Sequence, residues 1–362
     1  MKNGRFQIGI IGTGSISREH AWNYKRQGDC DIVALCDLIE GKPEALAKEC
    51  EIEGARYYTS KEEMLANEEL DLVSICVYNT QHKPCAIYAM EHGVNVLLEK
   101  PFTVTLDEAI DIMKVEKKTG KILSIGFQPR FSPYFRQLEE IIASGRLGKI
   151  YYIQTGGGRR RGLGIGTFIE KSTAGVGALG DIGCYSLDMV LKPLGYPVPK
   201  TVSAVSSNYF GTNPKYTKDD AKRFNVDDFA AAFIRFDDGL TVDFRIPWAM
   251  HMDTTGDTLI LGTDAGLRIP STECWNAGPG GRMTLYYDNE KGEQVEELLP
   301  EPEPNEIGAL NYYKIRAMLE AIKSGGTAPI PSSQIIVNQA IIDGMLRSAE
   351  CGHEVEINIP KV

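Results

Sequence analysis

The sequence predicts an α/β chain, with an N-terminal doubly wound parallel sheet followed by an α+β domain on a large, mostly antiparallel open sheet. Three observations predict it. A chain of 362 residues suits two domains at about 100–200 residues each. Over residues 1–125, short β-branched runs alternate with helix-period stretches, which is how βαβ units read. After about residue 125, strand runs follow one another and the long helices collect near the end. The domains are therefore expected at 1–125 and 126–362.

The elements justify this reading in order. Strand-like runs fall at 6–11, 31–36, 72–77, 95–98 and 122–125, with helical stretches at 17–27, 42–50, 61–66, 84–92 and 106–119 between them. Most connections carry Gly, Asn, Asp or Pro, as at Gly28, Gly54, Gly93 and Gly120. Beyond them a helix is expected at 133–144, closed by Gly145, then a strand at 150–155. A Gly-rich loop over 156–183 leads to a helix at about 182–191, stopped by Pro193. Strands dominate from 202 to about 299. Those at 227–236 and 240–246 are joined through Asp237-Asp238-Gly239, a hairpin signal because Asp-Gly accommodates the left-handed turn. In the second of them Leu240, Val242, Phe244 and Ile246 alternate with Thr241, Asp243 and Arg245, so one face is buried. Further strands are expected at 257–261, 266–269 and 283–287. The acidic, Pro-containing stretch 293–306 reads as a surface loop, and helices near 309–324 and 332–351 close the chain.

Composition narrows the function. With 39 basic and 49 acidic residues the net charge is −10, and no basic surplus exists for nucleic acid or an anionic membrane. No apolar run approaches the roughly 18–20 residues of a membrane helix, and the N-terminus leads into a strand rather than a signal-peptide core. The eight cysteines, at 30, 36, 50, 76, 85, 184, 274 and 351, form no C-x-x-C pair. Several sit in apolar runs, which fits reduced thiols in a cytoplasmic protein. The five histidines, at 20, 82, 92, 251 and 353, show no metal-ligand spacing, so no metal is expected.

The first strand continues Gly12-Thr13-Gly14-Ser15-Ile16-Ser17 into a helix. In a G-x-G-x-x-small turn the first glycine makes the tight bend and the second lets backbone approach a pyrophosphate. The third position, here Ser17, allows close helix packing, and the pyrophosphate sits on the helix N-terminus. Asp37, 20 residues beyond Ser17, ends the next strand and is placed to accept from an adenosine ribose. Leu38 and Ile39 bring no cation for a 2′-phosphate, so NAD is expected over NADP. The competing reading is a plain glycine turn with a capping aspartate. Asn79 and His82 follow the next predicted strand, and Glu99-Lys100-Pro101 follows the one after, both where ligands bind in doubly wound sheets. A partly desolvated Lys100 beside a positive nicotinamide would have its pKa lowered and exchange a proton near neutrality. The proline restricts the backbone, and a cis bond there would aim the lysine inward. A surface lysine beside a turn proline is the bland alternative.

Together the dinucleotide fingerprint, Asn79 with His82, and Glu99-Lys100-Pro101 resemble the Gfo/Idh/MocA oxidoreductases. Further matches are Gly126-Phe127-Gln128-Pro129-Arg130-Phe131, Gly145-Arg146-Leu147-Gly148, Gly180-Asp181-Ile182-Gly183-Cys184-Tyr185 and the stretch from Arg347 to Gly352. The resemblance implies a Rossmann domain, a bound nicotinamide cofactor and Lys100 as the proton-handling residue. It also implies an open sheet that forms an oligomer interface, hence a homodimer or homotetramer. On this reading Gly12, Gly14, Ser15, Ile16, Asp37, Asn79, His82 and Glu99 serve the cofactor, while Lys100, Tyr185 and Asp181 are catalytic.

One position departs from the family pattern. Where it often has histidine, this chain has Tyr185, as in the sugar and dihydrodiol dehydrogenase branch. Asp181 and Tyr185 are i, i+4 at a helix start and would share a face. Next to the Lys100 cation, Tyr185 could relay a proton while Asp181 orients the substrate. Asp181 as an N-cap and Tyr185 as a half-buried aromatic is the alternative. Arg159, Arg160 and Arg161 could touch a carboxylate, phosphate or sugar, though adjacent arginines are usually solvated. Trp248 and His251 could wall a sugar, or be a core tryptophan and a surface histidine; Trp275 has no assignable role. The expected activity is an NAD-dependent dehydrogenase of a sugar, polyol or cyclitol hydroxyl. The alternatives are a redox-neutral sugar lyase or glycosidase with tightly bound NAD, and a non-catalytic NAD-binding sugar sensor.

Overall fold

The computed structural model describes residues 1–271 and 280–361, so Cys274 and Trp275 lie outside the described residues. In chain order the first elements are β1 (Phe6–Ile11), α1 (Ser15–Gln27), β2 (Cys30–Cys36), α2 (Lys42–Glu49), β3 (Arg56–Tyr58) and α3 (Lys61–Asn67). They continue with β4 (Leu72–Ile75), α4 (His82–Glu91), β5 (Asn95–Leu98), α5 (Leu106–Thr119), β6 (Leu123–Ile125), α6 (Pro133–Ala143), β7 (Ile150–Gly156) and α7 (Cys184–Leu191). Next come β8 (Pro199–Ser207), α8 (Pro214–Thr217), β9 (Phe229–Phe236), β10 (Thr241–Pro247), β11 (Thr258–Gly262) and β12 (Ala265–Ile269). The last are β13 (Thr284–Asp288), β14 (Gln294–Leu298), α9 (Leu310–Ser324), α10 (Ser332–Cys351) and β15 (Val355–Glu356).

Two compact units result. One comprises Met1–Gln128 with Ile307–Ile335, the other Pro129–Glu306 with Ile336–Lys361. The first holds a parallel sheet in the order β3-β2-β1-β4-β5-β6, whose direction of winding reverses between β1 and β4. β4 is buried along its whole length and β1 nearly so, as expected for strands covered on both faces. Local signals end the helices where the chain must turn. Thr105 and Glu108 form a reciprocal capping box at the start of α5, and Gly120 closes it with φ +65°.

The core explains why the division differs from a single seam near residue 125. Ile315, Met318 and Leu319 of α9 belong to the same buried cluster as Phe6, Ile8, Ile10, Tyr24, Leu35 and Leu97. The segment 307–335 therefore returns to the first unit.

The second unit carries a nine-stranded sheet in the order β14-β13-β12-β11-β7-β10-β9-β8-β15. It is antiparallel except where β10 runs parallel to β7. The expected hairpin joins β9 to β10, with Gly239 at φ +86°, and Val242, Phe244 and Ile246 are fully buried. Two segments depart from the sequence reading. The stretch 293–306 is not wholly loop, because Gln294–Leu298 pairs with β13. A one-turn α8 interrupts the strand-rich region. Among the described residues no cysteine forms a disulfide, no His, Cys, Asp or Glu group is placed to hold a metal ion, and no helix is long and apolar enough to cross a membrane.

Candidate active site

Parallel pairing places the residues that follow β1, β2, β4 and β5 along one edge of the first sheet. There Gly12 has φ +88°, and a Cβ on it would lie 2.6 Å from the carbonyl carbon and oxygen of Cys76. Glycine is required at that position because the β1 turn presses against the end of β4. Gly14 is different. It is exposed, with φ −80°, a side chain added there would meet nothing within 4 Å, and no side chain caps α1. Exposed Ser15 and half-buried Ile16 open α1, and the first N–H groups of a helix are where a pyrophosphate would be received.

Asp37 braces this turn from the neighbouring strand end. Its Oδ2 accepts from Thr13 N and Thr13 Oγ1, both at 2.9 Å, and its Oδ1 accepts from Ile39 N at 3.0 Å. A carboxylate offers about four acceptor sites, so Asp37 keeps capacity for a ribose hydroxyl. Leu38 and Ile39 beside it are exposed.

Asn79 is buried in the short helical turn Asn79–Gln81, and Lys100 is half-buried before a cis Lys100-Pro101 bond. Two residues expected at the cofactor have buried side chains. His82 is fully buried, its Nδ1 2.8 Å from Pro101 O and its Nε2 3.3 Å from Val77 O. Burial pushes its proton affinity down despite these carbonyls, so a neutral ring ties α4 to the Lys100-Pro101 turn. Glu99 points into the core, only 3% exposed. Its Oε1 lies 2.8 Å from His20 Nε2 and 2.6 Å from Lys314 Nζ, and its Oε2 accepts from Lys100 N at 3.3 Å. Burial alone would raise its carboxyl, but Lys314 and His20 outweigh that and hold it well below the usual carboxylate range. His20 is itself pushed down by burial and by the Lys314 cation. Sequence reasoning missed His20 and Lys314; a lysine in a helix-period stretch carries no signal of burial.

Asp181 and Tyr185 belong to the second unit. Asp181 lies in a single π-helical turn, Leu179–Gly183, that runs into α7, so the expected i, i+4 pair spans a π-to-α junction. Such turns often mark functional sites. Asp227 organises the turn, its two oxygens accepting from Gly177 N at 2.7 Å and Leu179 N at 2.8 Å. Asp181 Oδ2 accepts from Trp248 Nε1 at 2.9 Å. Trp248 is a core residue, as one of the two readings held, yet its ring N–H orients the carboxylate. Tyr185 is buried, with 4% exposure. His251 is exposed and pairs with Arg161, whose guanidinium also donates to Met250 O and stacks on Phe210 and Tyr216. Arg161 is thus held at the surface rather than simply solvated.

Residues 6–127 match the oxidoreductase family GFO_IDH_MocA, described as an NAD-binding Rossmann fold, and residues 135–268 match the GFO/IDH/MocA C-terminal domain. The chain is 27% identical to D-glucoside 3-dehydrogenase of Escherichia coli (strain K12), over 99% of both chains. It is 26% identical to D-xylose 1-dehydrogenase (NADP(+)) 2 of Haloferax volcanii, over 97% of this chain and 99% of that one. Among solved structures, levoglucosan dehydrogenase in complex with NADH superposes with a TM-score of 0.83 at 19% identity, covering 99% of this chain and all of that one.

Proposed function

The chain belongs to the Gfo/Idh/MocA oxidoreductase family, and from that membership we propose that it is an NAD-dependent dehydrogenase acting at a hydroxyl carbon of a sugar, polyol or cyclitol. The observation that carries the reading is the open Gly14 turn on an uncapped α1, on the same strand edge as Lys100. The full-length likeness to a glucoside and a xylose dehydrogenase supports a carbohydrate substrate.

When bound, NAD supplies the acceptor for the hydride of the carbinol carbon. Backbone N–H groups at residues 14–16 would hold its pyrophosphate and Asp37 its adenosine ribose, with Asn79 at the nicotinamide end. The absence of a cation at Leu38 and Ile39 favours NAD over NADP. Lys100 takes the hydroxyl proton. Tyr185 shares or relays it, and Asp181, held by Trp248, orients a substrate hydroxyl.

The test is NADH formation at 340 nm with D-xylose, myo-inositol and methyl glucosides, for the wild type and Lys100→Ala. General acid–base groups typically contribute about 10²–10⁴-fold, so Lys100→Ala should lose at least about 100-fold in kcat. Undiminished turnover in that variant would remove the mechanism. Protein that retains NAD yet forms no net NADH would point to redox-neutral chemistry instead.

A further inference from the structure

Glu99 sits between two charged or ionisable partners that come from opposite ends of the sequence. Lys314, from α9, is fully buried, a placement rare for lysine unless it is paired. Its Nζ donates to Glu99 Oε1 at 2.6 Å and lies 3.2 Å from His20 Nε2. His20, on α1, continues the chain through Nδ1 to Ser74 Oγ at 2.9 Å, and Ser74 in turn meets Tyr24 OH at 2.7 Å. The other oxygen of Glu99 accepts from the backbone N–H of Lys100. Gly126 leaves room for this carboxylate, since a Cβ there would lie 2.7 Å from Glu99 Oε1.

We propose that Lys314, with His20, is a positioning residue for the reaction: the pair clamps the Glu99 carboxylate, and Glu99 seats the backbone of Lys100. The proposal rests on the reading of Lys100 as the proton-handling group. A buried carboxylate without a cation neutralises by taking up a proton. Lys314 prevents that, so Glu99 stays an acceptor for Lys100 N across the working pH range. Around the carboxylate also stand Cys76 after β4 and His82 on α4, Tyr24 on α1 reaches it through Ser74 and His20, and the side chain of Lys100 is the next along the chain. Burial raises Tyr24 and Cys76 and lowers His82, which leaves all three uncharged near neutrality. Lys314 is the cation in direct contact with the carboxylate.

The consequence has a sign. In Lys314→Met the Glu99 carboxylate, without its cation, takes up a proton at low pH and gives it up, becoming an acceptor again, as pH rises. The ratio of variant to wild-type kcat should therefore rise as pH rises from about 6 to 8, starting from at least a tenfold deficit at the low end. NAD affinity, titrated directly, should stay within about twofold, and Lys314→Arg, which keeps the cation, should restore most of kcat. A pH-independent ratio in Lys314→Met would overturn the proposal and leave Lys314 a stability residue. The wild type supplies a check that needs no variant. By 15N NMR of its histidines, His20 should remain neutral from pH 8 down to 5, and an ordinary titration near pH 6.5 would overturn the clamp. Lys100→Met, assayed alongside, separates the two readings. Full turnover there removes the role of Lys100 and the positioning claim with it, while the His20 titration still judges the clamp on its own.

Discussion

Two glycines in one turn do different work, and substitution separates them. Gly12 has the positive φ and the backbone of Cys76 against it, whereas Gly14 has an ordinary φ and open space. Alanine at 12 meets both a left-handed conformation costing about 1–2 kcal/mol and a clash with backbone that cannot rotate away. Gly12→Ala should therefore lose more than about 2 kcal/mol of stability. Gly14→Ala should stay within about 0.5 kcal/mol of the wild type, as uncrowded surface changes do, yet bind NAD at least tenfold more weakly because its methyl occupies the phosphate approach. Urea midpoints and NAD titrations check the pair; equal stability losses in both would show that Gly14 is a structural glycine after all. This turn was readable from the sequence because backbone geometry restricts its residue types. Glu99 and His82 were readable as special, but their burial was not, since spacing does not say which way a side chain turns. Lys314 was unreadable, being 215 residues from its carboxylate partner.

Among elements, those driven by apolar periodicity matched their expected bounds within a few residues. The strands that went unnoticed, β3, β14 and the two-residue β15, are all sheet edges. The side chains of the first two are largely exposed and polar, Arg56-Tyr57-Tyr58 and Gln294-Val295-Glu296-Glu297-Leu298. An edge strand is held by backbone pairing on one side, and charged residues protect it from further pairing, so it resembles a loop in hydropathy. The π turn before α7 escaped notice for a related reason: it is set by Asp227, some fifty residues away. α7 itself is buried on every side and carries an aspartate there. Asp188 takes a bidentate pair from Arg130 at 2.8 Å for both bonds, and Tyr196 OH donates to it at 2.5 Å. Removing one partner of a buried ion pair strands the other and typically costs about 3–5 kcal/mol. Arg130→Met should destabilise by that amount in urea unfolding, and Arg130→Lys, lacking the planar fork, should recover only part of it. A loss below about 1 kcal/mol for Arg130→Met would mean that Asp188 is already satisfied by its other partners.

At the scale of the whole molecule the chain's return to its first unit matters most. A boundary drawn from the change of rhythm near residue 125 implies that the first unit could be expressed alone. The core implies otherwise, because Ile315, Met318 and Leu319 are fully buried members of it. Burying one such side chain contributes about 1.5–3 kcal/mol, so omitting α9 forgoes roughly 5–9 kcal/mol, against a typical domain stability of about 5–15 kcal/mol. It also strands Glu99, which would lose Lys314 and retain only His20 as its ionisable partner at Oε1. Residues 1–128 alone should therefore lack a cooperative thermal transition and fail to bind NAD. The same segment joined by a flexible linker to residues 307–335 should melt cooperatively and recover binding. Calorimetry and NAD titration of the two constructions decide the matter. A cooperative transition in 1–128 alone would show that α9 is accessory to this core, and that the single seam near residue 125 was the better description of how the unit folds.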